Sequence, residues 1–69
     1  MMTEKIRIAM IKRNMSVKEL AARLRCTSQN LSGKFKRDNF SERELQEIAE
    51  ILGCTFEGRF ISKDTGEEI

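Results

Sequence analysis

Histidine is absent from the sequence, and cysteine occurs only twice, as Cys26 and Cys54. A tetrahedral zinc site within one chain therefore lacks ligands, and no C-x-x-C pair exists to start one. Both cysteines read as small buried apolar residues. Cytosolic thiols normally stay reduced, so no disulfide is expected. With no histidine, no evident nucleophile–base pair and no phosphate-binding glycine loop, nothing in the chain suggests an enzyme. No metal, cofactor or small-molecule ligand is expected. No apolar run approaches the ~20 residues that a membrane helix needs. The N-terminal MMTEKIRIAM has no apolar stretch of signal-peptide length. A cytoplasmic protein without membrane contact is the expectation.

What is present is compact and charged. The chain has 69 residues, 39% hydrophobic and 35% charged, which suits one globular domain rather than a disordered segment. A domain of this size buries only ~60% of the surface its unfolded chain exposes, so its core is small. The net charge of +2 hides a division. Residues 1–37 carry ten Lys and Arg against Glu4 and Glu19, whereas residues 38–69 carry three against nine acids. Such asymmetry suits a protein with one face for a polyanion and one face away from it.

Helical spacing dominates the first three-quarters of the chain. Ile6, Ala9, Met10 and Arg13 place a first helix over about Thr3–Arg13, with Asn14 as its stop. Ile8 and Ile11 fall on a second face. Ser16 and Glu19 form a capping box for a second helix, with Met15 and Leu20 as its hydrophobic staple. Leu20, Ala21 and Leu24 make the buried stripe, and Ala21 lets another helix cross closely. After a short turn at Arg25-Cys26, Thr27 caps a third helix from Ser28 to about Lys36. Only Leu31 and Phe35 give it an apolar side. Gly33 costs ~1 kcal/mol against alanine inside a helix and so needs a reason. Ser41 and Glu44 cap a fourth helix, with Phe40 and Leu45 as the staple. Leu45, Ile48, Ala49 and Leu52 line it, and Gly53 ends it in a left-handed cap.

The period then changes. Phe56, Gly58 and Phe60 alternate with their neighbours as in a strand over Thr55–Ile61. Lys63-Asp64-Thr65-Gly66 reads as a turn, with Glu67-Glu68-Ile69 as a short returning strand. The fold expected is all-α, four short helices plus a C-terminal strand or hairpin. Residues 1–54 would hold the helices, and residues 55–69 an extension of the same domain.

Two short helices joined by a tight turn, the second exposing a polar face, form a helix-turn-helix pattern. The second helix of such a pair must bury one side only, since the rest has to enter a major groove. The run Met15–Ser32 carries E-L-A-x-x-L, a short turn and T-S-Q-x-L-S. It resembles the lambda-repressor-like, Cro-type helix-turn-helix family, and Glu44–Cys54 resembles that family's following helix. The resemblance spans about residues 3–54. It implies double-stranded DNA binding in transcription control, most simply as a repressor of the kind found in phages and mobile elements. It further implies that Ser28, Gln29, Ser32 and Gly33 face bases and that Asn30 reaches base or backbone. Lys18, Lys34, Lys36, Arg37 and Asn39 would face phosphates.

Three positions depart from the family. Val17 stands where the family usually has a glutamine that anchors phosphate. Arg25 stands where glycine is usual; a non-glycine residue with positive φ costs ~1 kcal/mol or more, so the turn is expected to take another shape. Lys34 replaces an apolar residue, with Phe35 as anchor one position later, which would rotate the helix end slightly.

One recognition helix covers too few base pairs for genomic specificity. A homodimer joined by the C-terminal segment is therefore expected, with Ile8, Ile11, Ile51 and the strand around Phe56, Phe60 and Ile61 as spare apolar groups. Alternatively, the strand folds back over its own helices and covers Ile8 and Ile11. A protein-interaction module on the same scaffold, such as an antitoxin-like or polymerase-binding adaptor, is the second reading of the whole chain.

Overall fold

The computed structural model describes residues 2–69. Four helices, α1 (Met2–Lys12), α2 (Val17–Arg23), α3 (Ser28–Arg37) and α4 (Glu42–Ile51), precede two strands, β1 (Cys54–Phe56) and β2 (Phe60–Ser62). None of these helices is long and apolar enough to cross a membrane. The bounds lie within a residue or so of those read from the sequence.

The caps explain the helix starts. Thr27 Oγ1 accepts from the Asn30 amide at 3.0 Å. Ser41 Oγ accepts from the Glu44 amide at 3.1 Å, and Glu44 returns the contact to the Ser41 amide at 2.9 Å. Both halves of the box thus close at α4. At α2 only one half does. Ser16 Oγ accepts from the Glu19 amide at 3.1 Å, but the Glu19 carboxylate pairs instead with Arg23, one turn further, at 3.3 Å.

The connection between α2 and α3 corrects an expectation. Arg25 adopts φ 60°, so the turn keeps the left-handed residue although glycine is absent. The backbone bonds from Arg25 N to Ala22 O (3.1 Å) and from Cys26 N to Ala21 O (3.0 Å) satisfy the carbonyls at the end of α2 and hold that conformation. Asn14 and Asp38 end α1 and α3 in the same region, at φ 55° and 52°. Asparagine and aspartate tolerate it better than most residues.

The core gathers Ile6, Leu20, Leu31, Ile48, Leu52 and Phe60, all essentially inaccessible. Ala9, Ala21 and Ala49 are buried among them, where small side chains permit close helix packing. Leu24 and Cys26, expected inside, are only half-buried, whereas Cys54 is buried; both thiols are free.

The tail also differs from its expected form. The alternating segment does not run through as one strand but reverses at Glu57-Gly58-Arg59, with Gly58 at φ 75°. The antiparallel register pairs Cys54 with Ser62, Thr55 with Ile61 and Phe56 with Phe60. The returning residues add a single bridge between Ile61 and Glu68. Glycine at a left-handed position makes the early reversal inexpensive, and it lets Phe60 enter the helical core. Phe56 packs against Phe60 in a tilted pair, with ring centroids 5.2 Å apart. The hairpin does not cover Ile8 or Ile11, which stay 46% and 77% exposed.

Two charged side chains tie α1 down at its ends. Arg13, just past α1, donates to the carbonyls of Leu52 (2.8 Å) and Gly53 (3.2 Å), to Ser62 Oγ (2.9 Å) and to Asp64 (3.2 Å). A cation there satisfies orphan carbonyls and complements the negative end of α4. At the other end, Asp38 accepts from the Thr3 amide (2.8 Å) and the Thr3 hydroxyl (2.7 Å). The carboxylate thus caps the positive end of α1. Its pKa is held below the ordinary 3.8, first by the Thr3 hydroxyl and then by the Thr3 amide.

A carboxylate with a lowered folded pKa stabilises fully above its unfolded pKa and loses that contribution as pH falls through the folded value. Asp38→Asn should therefore unfold at lower urea than the wild type at neutral pH. The gap between the two midpoints should close as pH falls through the folded pKa of Asp38, below the ordinary carboxylate value. A gap that stays constant across that range would remove the Asp38 carboxylate from the account.

Candidate nucleic-acid interface

Leu31 and Phe35 are the only residues that α3 buries. With 3.6 residues per turn, Gly33 lies opposite their midpoint, and Gln29, Lys36 and Arg37 share that outward side. Ser28, Gln29, Asn30, Ser32, Lys36 and Arg37 are all exposed, and Gly33 is partly covered. The helix thus presents a polar, basic surface without a break in its hydrogen bonding. The residues expected to face bases are brought together on one helix, with Ser28 and Gln29 directly after the Thr27 cap. That end also carries the free amides of the first turn.

Phe35 orients this helix. Its ring packs against Phe40 at a centroid distance of 5.7 Å, and the Arg7 guanidinium lies over the ring, 4.9 Å from its centroid. Arg7 comes from α1 and escaped the sequence reading. It lines an open groove of about 460 Å³ with Gln29, Ser32, Gly33, Phe35 and Lys36. Spacing within α1 gives no sign of which helix Arg7 will meet. Only the basic excess of residues 1–37 hinted that α1 contributes charge to this face.

Lys34 is the phosphate candidate that the structure places differently. It lies on the flank of α3 facing α4, where its ammonium pairs with the Glu44 carboxylate. Glu44 already belongs to the capping box of α4. Lys34 therefore braces α3 against the start of α4, and its charge is met internally. Its position between the buried stripe and the outer face explains why the family's apolar residue can be replaced here. A long side chain covers apolar surface with its stem and keeps the charge near water.

Lys18 is exposed on the first turn of α2, and Asn39 is exposed just beyond α3. Val17 before Lys18 is half-buried and packs against the core, so that position anchors α2 by apolar contact instead of offering a polar group. Arg37 is the last residue of α3 and not a loop residue. Its guanidinium folds back over the helix, with Nη1 3.4 Å from the point where a Cβ at Gly33 would stand.

Two short helices joined by a tight turn, with the second buried along one narrow side only, define a helix-turn-helix protein. The chain belongs to the Cro/C1-type helix-turn-helix DNA-binding family, whose model matches residues 5–57. That span runs from α1 into the hairpin turn. Comparisons with curated proteins and with solved structures gave no match.

The two lysines of α3 should separate in a salt titration of DNA binding. Each phosphate contact contributes about 0.9 to the slope of log K against log salt. Lys36→Met should lower that slope by about one contact's worth. Lys34→Met should leave it unchanged and reduce thermal stability instead. A slope change of the same size for both would return Lys34 to the DNA face.

Proposed function

We propose that this chain is a non-enzymic transcriptional repressor that occupies a specific double-stranded DNA site and blocks it sterically. The observation that carries this reading is the outer face of α3, where polar and basic side chains stand together on a helix that buries only Leu31 and Phe35. In the proposed complex α3 lies in the major groove. Gln29 makes a bidentate contact to an adenine, and Ser28 bonds a neighbouring base. Ser32, with Asn30 on the other flank, meets the edges and wall of the groove. Lys36, Asn39 and Lys18 hold phosphates, which set position and orientation rather than sequence preference. Arg7 joins them from α1. The acidic second half of the chain would stay away from the duplex, where like charge repels phosphate.

Gln29→Ala should weaken binding to the selected site by ~1–3 kcal/mol and relax the base preference at one position. Electrophoretic mobility shifts on selected and scrambled duplexes measure both. Equal losses on the two duplexes would exclude base reading by Gln29. No shift of the wild type on any duplex at low salt would favour the protein-interaction reading, for which exposed Ile8 and Ile11 speak.

We also propose that the working unit is a homodimer joined through β1. The bonds from Lys63 N to Gly53 O and from Glu57 N to Arg59 O flank the ladder. Cys54 and Phe56 therefore turn their backbone groups away from β2. Among the described residues no strand pairs with that edge. An unpaired edge is suited to an isologous contact with a second copy. Two-fold symmetry would set two copies of α3 about 34 Å apart, on successive turns of the major groove. Sedimentation equilibrium over a wide concentration range should give a reversible monomer–dimer equilibrium. A chain that stays monomeric and binds DNA as one copy would end the dimer proposal.

A further inference from the structure

Gln29, Gly33 and Arg37 follow one another at intervals of four and form a single row along the outer side of α3. The middle position of that row has no side chain. Arg37 begins at the last residue of the helix, but its guanidinium does not stay there. Nη1, Nη2 and Cζ lie 3.4, 3.6 and 3.8 Å from the Cβ position that Gly33 lacks. The charge is thereby carried back by about four residues, about 6 Å along the axis, to the middle of the face opposite Leu31 and Phe35. Among the described residues no acid pairs with Arg37. The neighbouring carboxylate, Asp38, is taken up by Thr3.

We propose that Arg37 reads a guanine in the major groove and is a specificity-determining residue, not a phosphate contact. The inference rests on α3 being the helix that enters the groove. Phosphates line the walls of a groove, and a side chain that meets them has to leave the helix on a flank. Lys36 stands toward the Arg7 side of the groove that those two residues help to line. Arg37 instead lies along the centre line, in the row of Gln29. A guanidinium there can present two parallel donors to O6 and N7 of guanine. Its level is that of Gly33, about 6 Å along the axis from Gln29, which corresponds to about two base-pair steps. Gly33 leaves room for this arrangement. A Cβ at that position would stand in ordinary van der Waals contact with the guanidinium, whereas a side chain longer than alanine's would displace it.

Selection of bound duplexes from a random library, followed by affinity measurement over a range of salt, tests the proposal with Arg37→Ala and Arg37→Lys. The wild type should select a guanine within about two base pairs of the base whose preference Gln29→Ala relaxes. Arg37→Ala should lose about tenfold or more on that site and nearly nothing where the guanine is already replaced. Its salt slope should stay close to the wild type's. Arg37→Lys keeps the charge but not the planar fork, and should lose the same preference. Arg37→Ala weakening every sequence alike, with a slope lowered by about 0.9 and restored by Arg37→Lys, would make Arg37 a phosphate residue and overturn the proposal. A specific wild-type site without any guanine at that distance would overturn it too. A wild type that selects no sequence would instead overturn the DNA-reading function itself.

Discussion

Helix α3 buries Leu31 and Phe35 and no other residue, and the rest of the structure can be understood as a means of holding it on so narrow a side. Burying a leucine or phenylalanine contributes about 1.5–3 kcal/mol relative to exposure. Two such residues cannot hold a ten-residue helix in place against its own freedom without help. The help comes from the ends. Thr27 caps the start of α3, Lys34 braces its flank against Glu44, and Asp38 ties its end to the first turn of α1. Each of these contacts lies at an end or on a flank. The outer face, from Gln29 through Gly33 to Arg37, is left without packing partners and is open to a ligand.

Helix α1 is the strap that makes this possible. Thr3 in its first turn donates to Asp38 at the end of α3, and Arg13 behind its last turn donates to the Leu52 carbonyl at the end of α4 and to the hydroxyl of Ser62. Both contacts put a charge at the helix terminus of opposite sign. The Asp38 contact also stabilises a left-handed residue. Asn14, Arg25 and Asp38 all hold that conformation, which costs roughly 1–2 kcal/mol for most L-residues and less for asparagine and aspartate. At Asp38 the bonds to Thr3 offset that cost. At Arg25 the bonds to Ala21 and Ala22 carbonyls at the end of α2 do so, which is why the turn survives without glycine.

The charge division of the chain has a three-dimensional meaning. Basic residues of the first half are distributed over the outer face of α3, the groove edge at Arg7 and the start of α2. One of them, Lys34, is neutralised by an acid from the second half, and another, Arg13, is used inside the fold. Charge counting therefore overstates the cations that a DNA backbone can meet. The exposed pair Ile8 and Ile11 lies on the side of α1 that neither the core nor the hairpin covers.

The local patterns determined the elements. Capping residues, the 3.6-residue apolar stripes and Gly53 set the ends of α2, α3 and α4 to within a residue or so, because those signals act through backbone groups a few positions away. The narrow apolar side of α3 also marked it as a helix with most of its surface exposed. What local pattern could not determine was which partner each charged side chain takes. Glu19 chose Arg23 over the Ser16 amide, Lys34 chose Glu44 over solvent, and Arg13 left its place on a stripe to become a clamp. The strand period over Thr55–Ile61 likewise concealed the reversal at Gly58, since alternation looks the same in one long strand and in two short ones. Arg7 joined the groove only through its contact with Phe35. Apart from the local Glu19–Arg23 pair, the side-chain contacts join groups 10 to 51 residues apart in sequence, which come within reach only when the core has closed. Only the tertiary structure decided them.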